Sequence, residues 1–306
     1  KAEMNQLNMT ADGKLVGIGV LASYDVDTPG IYIRRVMPDS PAEAAGIREN
    51  DVVTAVNGTV VTEETYGDCI NAVRGEAGTS VTLTVLSGGK TTDVNVRSRN
   101  VFMNWLEGDI AFIQITEFSG NVATDFVSCM KEAETKGAKG YVFDMRGNPG
   151  GDLEIICTVL DYLLPEGPII RVKNAAGNIV FTRDSGASCV NAPMTVLVDG
   201  NTASAAELFT AALRDYHKAT IIGTTTFGKG TMQHIITLSD GSGIRLSCYY
   251  YDPPYGENYH GKGITPDIVL DQSDYYKLRP YLLNEENDIQ IQAAKKELLK
   301  IIEGVN

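Results

Sequence analysis

The spacing of hydrophobic residues divides the chain into two regions. Between residues 15 and 98, short runs rich in Val, Ile, Leu and Thr alternate with segments of Pro, Gly, Asp and Asn, which is typical of β-strands joined by turns. Ser40 followed by Pro41 indicates the N-cap and first residue of a one-turn helix. The predicted strands cover residues 15–21, 31–36, 52–56 and 81–86, and a second helix covers 62–73. The pattern predicts a small, mostly β domain.

From about Asn100 onward, strands alternate with longer helices. One predicted helix carries Val122, Phe126, Met130 and Ala133 at helical spacing. The predicted order is strand 110–115, helix 121–136, strand 140–145, helix 152–164, strand 194–199, helix 203–216 and strand 219–223. This succession predicts a layered α/β fold with parallel strand pairing. After residue 271 the chain becomes helical and charged, ending in a helix over 285–303.

Composition narrows the class of protein. The 306 residues include 26 Lys and Arg against 39 Asp and Glu, a net charge of −13, so binding to nucleic acid is excluded as the main role. The five cysteines form no CxxC pair and no Cys/His cluster, so we expect no metal site and no cofactor. Residues 1–8 have neither a Met start nor a signal peptide, and we interpret the chain as a fragment whose leader has been removed.

A glycine-rich turn follows the predicted strand at 140–145. The sequence YVFDMRGNPGG, residues 141–151, runs from an apolar strand into a helix, so backbone N–H groups there can face an anion. A phosphate is disfavoured because the segment is neither GxGxxG nor GxxxxGK[ST]. The oxyanion of an acyl-transfer intermediate needs only two aligned donors. A tight turn with glycines for close packing is the structural alternative.

A serine and a lysine follow the next two strands. Ser204 lies where a strand ends and a helix begins, a place that can expose a nucleophile, although capping alone explains a serine there. Lys229 lies between Gly228 and Gly230, and a lone lysine in such a loop is ordinarily solvated. If Lys229 lies next to Ser204 among apolar side chains, the loss of solvation lowers the pKa of the lysine, and its neutral amine can accept the serine proton. We expect Phe227 and Met232 to be those apolar side chains. Of the three histidines, His234 alone is near this loop in sequence, and no Asp is placed to orient it.

Taken together, these motifs resemble those of the carboxyl-terminal processing proteases, the PDZ-containing tail-specific serine peptidases. Residues 39–51, DSPAEAAGIREND, with VNG at 56–58, are similar to the PDZ signature of that family, and the resemblance covers about residues 15–272. It implies a mostly β PDZ domain at 15–99 and a ClpP/crotonase-like layered α/β protease core at 100–272. A helical region at 273–306 follows, and residues 1–14 are the remnant of an amino-terminal region.

The resemblance also implies roles for individual residues. Ser204 is the nucleophile, Lys229 the general base, and Gln233 the residue that orients the lysine, although a polar side chain on a strand face also explains Gln233. The backbone N–H groups of Ala205 and Gly150 form the oxyanion hole. No metal takes part.

The same resemblance implies how a substrate tail is bound. The GIGV segment, Gly17, Ile18, Gly19 and Val20, receives the C-terminal carboxylate of a peptide. Arg74 couples the PDZ domain to the protease, with a solvated turn arginine as the alternative. The sequence departs from the family pattern at Thr202, at Ala206 and at Asp152, which follows the glycine pair.

The implied function is that of a serine endopeptidase with a Ser/Lys dyad that cleaves protein substrates near their C-termini. The implied partners are protein or peptide substrates with apolar C-terminal tails, and a second copy of the chain in a dimer formed through terminal helices. The implied location is extracytoplasmic, in a bacterial cell envelope, with the full-length protein membrane-anchored or secreted. The competing hypotheses are an inactive PDZ scaffold and a crotonase-like acyl-CoA enzyme, which uses a related α/β fold with a glycine-based oxyanion hole.

Overall fold

The structure is a computed structural model. It describes residues 15–25, 29–37, 40–76, 79–97, 100–186, 189–238, 242–277 and 283–304. The predicted remnant at 1–14 and the predicted boundary at 99 lie outside the described residues.

The first region is a set of antiparallel strands with two helices. The strands are β1 (Leu15–Val16), β2 (Val20–Asp25), β3 (Gly30–Val36), β4 (Val52–Val56), β5 (Thr59–Val60), β6 (Gly75–Glu76), β7 (Ser80–Ser87) and β8 (Lys90–Arg97). The helices are α1 (Pro41–Ala44) and α2 (Tyr66–Val73). One sheet has the order β2-β3-β4-β7-β8, with β5 on β4, while β1 pairs with β6. Alternate residues of these strands, such as Ile33, Val53 and Leu83, form one hydrophobic core, as expected for sheets covered on one face.

Two predicted elements of this region begin or divide differently. The predicted strand 15–21 is interrupted between β1 and β2, because Gly19 has a φ of +81° and turns the backbone. The predicted helix 62–73 begins only at Tyr66. Before it, the Thr62 N–H donates to Thr65 Oγ1 and the Thr65 N–H donates to Thr62 Oγ1, at 2.8 and 3.2 Å, which fixes a turn.

The second region is built on a mainly parallel sheet. Its strands are β9 (Val101–Leu106), β10 (Ile110–Ile115), β11 (Gly140–Asp144), β14 (Met194–Val198), β15 (Ala219–Gly223) and β18 (Ile268–Val269). The order is β18-β15-β14-β11-β10-β9, with β9 antiparallel to β10 and the other neighbours parallel. The prediction of a layered α/β fold with parallel pairing is confirmed.

Helices cover both faces of this sheet. They are α3 (Val122–Thr135), α4 (Leu153–Leu163), α5 (Ala205–Asp215), α6 (Asp274–Lys277) and α7 (Ile289–Glu303). Helices α3, α4 and α5 share the large core on one face, where Phe126, Leu160 and Phe209 are fully buried. Helix α7 packs Ala294 and Leu298 onto the opposite face, which confirms the expected helical C-terminal region. Among the described residues no helix is long and apolar enough to span a membrane.

A four-stranded antiparallel sheet was not predicted as a unit. It consists of β12 (Gly167–Lys173), β13 (Ile179–Ser185), β16 (Thr231–Thr237) and β17 (Gly243–Asp252), in the order β13-β12-β17-β16. Because Ile179 and Val180 are adjacent and both exposed, β13 lacks the alternation that marks a half-buried strand.

Candidate active site

Three loops that carry the predicted catalytic residues leave the same edge of the parallel sheet. Strands β11, β14 and β15 are adjacent and parallel, and their carboxyl ends lie level because Asp144 pairs with Leu197 and Val198 pairs with Gly223. We call the three loops the glycine turn (145–151), the serine turn (199–204) and the lysine loop (224–230). Ligands of open α/β sheets bind at this edge.

Ser204 has a strained backbone at the start of α5. Its φ of 55° and ψ of −117° fall outside the regions that residues other than glycine ordinarily occupy. An ordinary N-cap has an extended backbone, so capping alone does not explain this conformation. The side chain is half-buried. The serine turn itself is held by Thr202, whose hydroxyl donates to the Met145 carbonyl at 2.8 Å and accepts from the Asp199 N–H at 2.9 Å.

The carboxylate of Glu207 joins the serine turn to the lysine loop. Glu207 has 0% exposure. Its Oε2 accepts the Ser204 N–H at 2.9 Å and the Lys229 N–H at 2.7 Å. Its Oε1 accepts the Gly228 N–H at 2.7 Å and the Thr226 hydroxyl at 2.6 Å. Four donors satisfy a buried carboxylate, which therefore fixes the backbone of both predicted dyad members. Glu207 was not predicted as a site residue, although its place three residues after Ser204 is the capping-box pattern.

Lys229 is half-buried in a loop that lies close to residues 258–263. A Cβ on Gly228, where φ is +89°, would be only 2.8 Å from the Gly263 nitrogen, so this approach requires glycine. The Lys229 carbonyl accepts the Tyr251 hydroxyl at 2.8 Å. Phe227 is 64% exposed and does not form the expected apolar wall, because the loop turns its side chain outward.

Two buried tyrosines stand beside the predicted dyad instead. The rings of Tyr251 and Tyr259 meet edge to face, with centroids 5.8 Å apart. The Tyr259 hydroxyl donates to the Ser204 carbonyl at 3.4 Å. Burial raises the pKa of both phenols well above the ordinary value, and hydrogen bonds to Tyr259 and Ser204 offset part of that rise for Tyr251. Both tyrosines stay neutral at physiological pH, so each remains a hydrogen-bond donor.

Gln233 lies on β16, next to an irregularity in the pairing of β16 with β17 between Met232 and Gln233. Its side chain is exposed on the strand that leads away from the lysine loop. The role of Gln233 in orienting Lys229 stays a prediction.

The glycine turn lies against Ser204. A Cβ on Gly150 would be 2.7 Å from Ser204 Cβ and 2.8 Å from the Ala205 nitrogen, so only glycine allows this contact. The Gly150 N–H, predicted as an oxyanion donor, is instead donated to Asn148 Oδ1 at 2.8 Å. In the part of the chain that the structure describes, the N–H groups of Gly151 and Ala205 donate to no protein acceptor.

Asn148 is a second polar residue that the sequence did not single out. It is fully buried, and its Nδ2 donates to the Ile115 carbonyl at 2.8 Å. Its own carbonyl accepts the Ala203 N–H at 2.9 Å. With its bond to Gly150, Asn148 connects the end of β10, the glycine turn and the serine turn.

The predicted peptide-binding loop opens into a cavity of about 540 Å³ shared by both regions. Gly17, Ile18, Gly19 and Val20 all line this cavity. In the first region it is lined by Ile31, Ile33, Tyr66, Ile70 and Val73, and in the second by Thr116, Glu117, Gly147 and Pro149. A peptide in this groove would therefore lie near the glycine turn.

Arg74 lines the same cavity, at the end of α2. Burial raises the pKa of Glu117, and the charge of Arg74 and a hydrogen bond to Ser119 oppose that rise. Arg74 of the first region and Glu117 of the second thus interact across the boundary.

An ion-pair cluster connects the glycine turn to α7. Arg146 pairs with Asp144 at 2.8 Å and with Asp288 at 2.7 Å, and donates to Gln290 at 2.9 Å. Asp288 is also the N-cap of α7. Among the described residues, no cluster of three or more His, Cys, Asp or Glu is arranged to hold a metal ion.

Comparisons with known proteins agree with this arrangement. A family model described as Peptidase family S41 matches residues 109–270, and one described as PDZ domain matches residues 32–87. The chain is 34% identical over 283 residues to the carboxy-terminal-processing protease of Bartonella bacilliformis, covering 88% of this chain and 64% of that protein. It is 31% identical over 307 residues to the carboxyl-terminal-processing protease of Synechocystis sp., covering 95% and 70%.

A solved structure gives the same result. The photosystem II D1 C-terminal processing protease superposes with a TM-score of 0.55 and 27% identity, over 88% of this chain and 76% of that one. The chain spans only 64% and 70% of the length of the two curated relatives.

Proposed function

The chain belongs to peptidase family S41, and from that premise we propose that it is a serine endopeptidase whose catalytic dyad is Ser204 and Lys229. The observation that carries the proposal is the buried Glu207 carboxylate, which holds the backbone N–H groups of both residues on one oxygen. The strained backbone of Ser204 adds to it, since such conformations concentrate at functional sites.

In the proposed reaction, the neutral amine of Lys229 takes the proton of the Ser204 hydroxyl as the serine oxygen attacks a substrate amide carbonyl. The ammonium then protonates the leaving amine, and a water attacks the acyl-enzyme with Lys229 again as base. Backbone N–H groups stabilise the oxyanion in both stages. Ala205 is one donor. Because the Gly150 N–H is donated to Asn148, we assign the second donor to Gly151.

Recognition of the substrate tail completes the proposal. An apolar C-terminal tail adds as a strand in the groove between β2 and α2, with its carboxylate on the N–H groups of the 17–20 loop. Arg74 couples this groove to the protease through Glu117, and Gln233 orients Lys229. On the family resemblance, we also propose an extracytoplasmic location for the full-length protein, anchored or secreted, and a dimer through terminal helices. The apolar face of α7 is already packed on the core, so a dimer would have to use its outer face.

A fluorogenic peptide with an internal cleavage site and an apolar C-terminal tail tests the dyad. We expect Ser204→Ala and Lys229→Ala each to lower kcat by about 10³-fold or more. Ser128→Ala is the matched control, because Ser128 lies exposed on α3 and its hydroxyl only donates to the Thr124 carbonyl. Full activity in Ser204→Ala would disprove the nucleophile assignment.

The same experiment separates the competing hypotheses. An inactive PDZ scaffold would bind the tailed peptide and release no fragments, in the wild type as in the variants. A crotonase-like enzyme would bind acyl-CoA esters, so a titration with acetyl-CoA that shows binding, together with an uncleaved peptide, would favour that alternative.

A further inference from the structure

Asn100 links the 17–20 loop of the PDZ domain to the protease core through both ends of its side-chain amide. It is 3% exposed and precedes β9. Its Oδ1 accepts the Gly17 N–H at 3.4 Å and the Thr116 hydroxyl at 3.0 Å, while its Nδ2 donates to Ser119 Oγ at 2.6 Å. The Gly17 N–H can only donate, so this partner requires the amide oxygen to face the PDZ loop and the NH₂ to face Ser119. The orientation of the amide is therefore determined.

The segment that Asn100 holds, residues 116–119, is paired with the glycine turn. The Phe118 N–H donates to the Gly150 carbonyl at 2.8 Å, and the Phe118 carbonyl accepts the Asp152 N–H at 2.8 Å. Gly151 lies between these bonds, and a Cβ there would overlap the Phe118 carbonyl oxygen. Interiors this tightly packed transmit displacement, so the segment cannot shift without moving Gly150 and Gly151.

At its other end, Asn100 holds the first residue of the carboxylate-binding loop. In the ranges that the structure covers, the N–H groups of Ile18 and Gly19 donate to no protein acceptor, whereas the Gly17 N–H is donated to Asn100. A peptide carboxylate that binds to the N–H groups of Ile18 and Gly19 therefore displaces a loop whose first residue, Gly17, is held by Asn100. From Asn100 the connection runs through its hydrogen bond to Ser119, along the chain to Phe118, and through the hydrogen bonds of Phe118 to Gly150 and Asp152, and all of these groups are buried or half-buried.

We propose that Asn100 is a positioning residue that transmits binding of a C-terminal carboxylate in the 17–20 loop to the oxyanion-forming glycine turn. The inference rests on the proposed function. It differs from the coupling assigned to Arg74 because it runs from the Gly17 N–H through the Asn100 amide, which carries no charge, to Ser119.

The test measures the effect of a tail supplied in trans. A short peptide with an apolar C-terminus and a free carboxylate is added to the enzyme, and kcat/KM is measured on a separate fluorogenic substrate that ends in an amide. Anisotropy of the labelled tail peptide gives its affinity for each variant. For the wild type we expect saturating tail to change kcat/KM by about fivefold or more, the lower end of measured couplings between sites. For Asn100→Ala we expect a change below about twofold, with tail affinity within about threefold of the wild type.

Further variants remove the ambiguity of a folding defect. Ser119→Ala removes the acceptor of the Asn100 Nδ2 together with the hydroxyl that bonds to Glu117, and it should reduce the response. Ser119→Thr restores a hydroxyl and should recover the response. Asn104→Ala makes the same change at an exposed site on β9 and should respond as the wild type does. Thermal melting of each variant confirms that it is folded.

Three results would overturn the inference. In the first, the wild type cleaves the amidated substrate and its kcat/KM does not change when the tail peptide is added. In the second, Asn100→Ala binds the tail and its kcat/KM changes as much as that of the wild type. In the third, Asn100→Ala shows no change only because it no longer binds the tail. Failure of the proposed function gives a different result, because the wild type would then cleave every substrate at the same rate as Ser204→Ala does.

Discussion

Glu207→Gln is the sharpest test of how the dyad is positioned. The substitution keeps the shape of the side chain and removes one acceptor oxygen. If the amide oxygen faces Ser204 and Lys229, the NH₂ faces the Gly228 N–H and the Thr226 hydroxyl. If the amide is flipped, the NH₂ faces the N–H groups of both predicted dyad residues. Either orientation opposes a donor to a backbone N–H that cannot reverse.

The magnitude follows from the hydrogen bonds that are lost. A hydrogen bond to a charged group contributes about 1.5–3 kcal/mol, and a buried donor left without an acceptor costs about 1–3 kcal/mol. We therefore expect Glu207→Gln to lower the free energy of unfolding by about 2–4 kcal/mol. A misplacement of about 1 Å in a catalytic group can cost about 100-fold, so we expect kcat to fall by about that factor.

The assay compares kcat, KM and urea unfolding for Glu207→Gln with those for Glu154→Gln. Glu154 is exposed on α4, where it pairs with Arg183 at 2.7 Å, and loss of such a surface pair has little effect on stability. KM should change little, because Glu207 bonds to three backbone N–H groups and the Thr226 hydroxyl of the enzyme and does not line the proposed substrate groove. The reasoning is refuted if Glu207→Gln is stable, folded and within about threefold of the wild-type kcat.

Three other buried groups give further predictions. Asn148→Asp replaces the NH₂ that donates to the Ile115 carbonyl with an oxygen, which cannot donate. We expect kcat to fall at least about tenfold and urea unfolding to show a loss of about 1–3 kcal/mol in the free energy of unfolding, and wild-type values for both would disprove the role of Asn148. Asp288→Ala removes the buried partner of the half-buried Arg146 and the N-cap of α7, so urea unfolding should show a loss of about 3–5 kcal/mol. A loss of less than about 1 kcal/mol would mean that the pair is solvated. Burial raises the pKa of Cys157 to about 12, so its thiol stays protonated below that pH. Iodoacetamide at neutral pH should label the half-buried Cys129, Cys189 and Cys248 before Cys157, as mass spectrometry of peptides would show, and faster labelling of Cys157 would contradict its burial.

The elements that the sequence predicted well are those whose burial leaves a simple pattern. Strands β11 and β14 are buried along their whole length, so they appear as continuous apolar runs, and the helices beside them show helical spacing. Strands β12, β13, β16 and β17 were not assigned as a sheet because their residues vary in burial and their pairing contains bulges. An irregular register removes the alternation on which strand prediction depends.

For the site, the sequence located the loops and missed what holds them. Ser204, Lys229 and the glycine turn follow three parallel strands, so the topology alone brings them to one edge. Glu207 had a local signal, its spacing from Ser204. Asn100 had none, because its partner Gly17 is 83 residues away in the chain. Asn148 bonds locally to Gly150, but its partners Ile115 and Ala203, which make it a link between loops, are far away in the chain. The commitment of the Gly150 N–H to Asn148 likewise depends on a side-chain rotamer that no spacing predicts.

The glycine turn shows why the catalytic geometry of this protein cannot be separated from its stability. Within the turn, the Gly150 N–H donates to Asn148, and the Gly150 carbonyl accepts from Phe118 beside the turn. At the start of the turn, Arg146 pairs with Asp288, the N-cap of α7. Each bond uses a polar group that is wholly or largely buried, and a buried polar group without a partner costs folding free energy. A substitution that frees the turn to move therefore also destabilises the fold, whereas a charge change at the surface affects neither. The Asn100 amide, which connects the 17–20 loop to the segment bonded to the turn, is therefore placed to pass a displacement of that loop to the turn while these bonds stay intact.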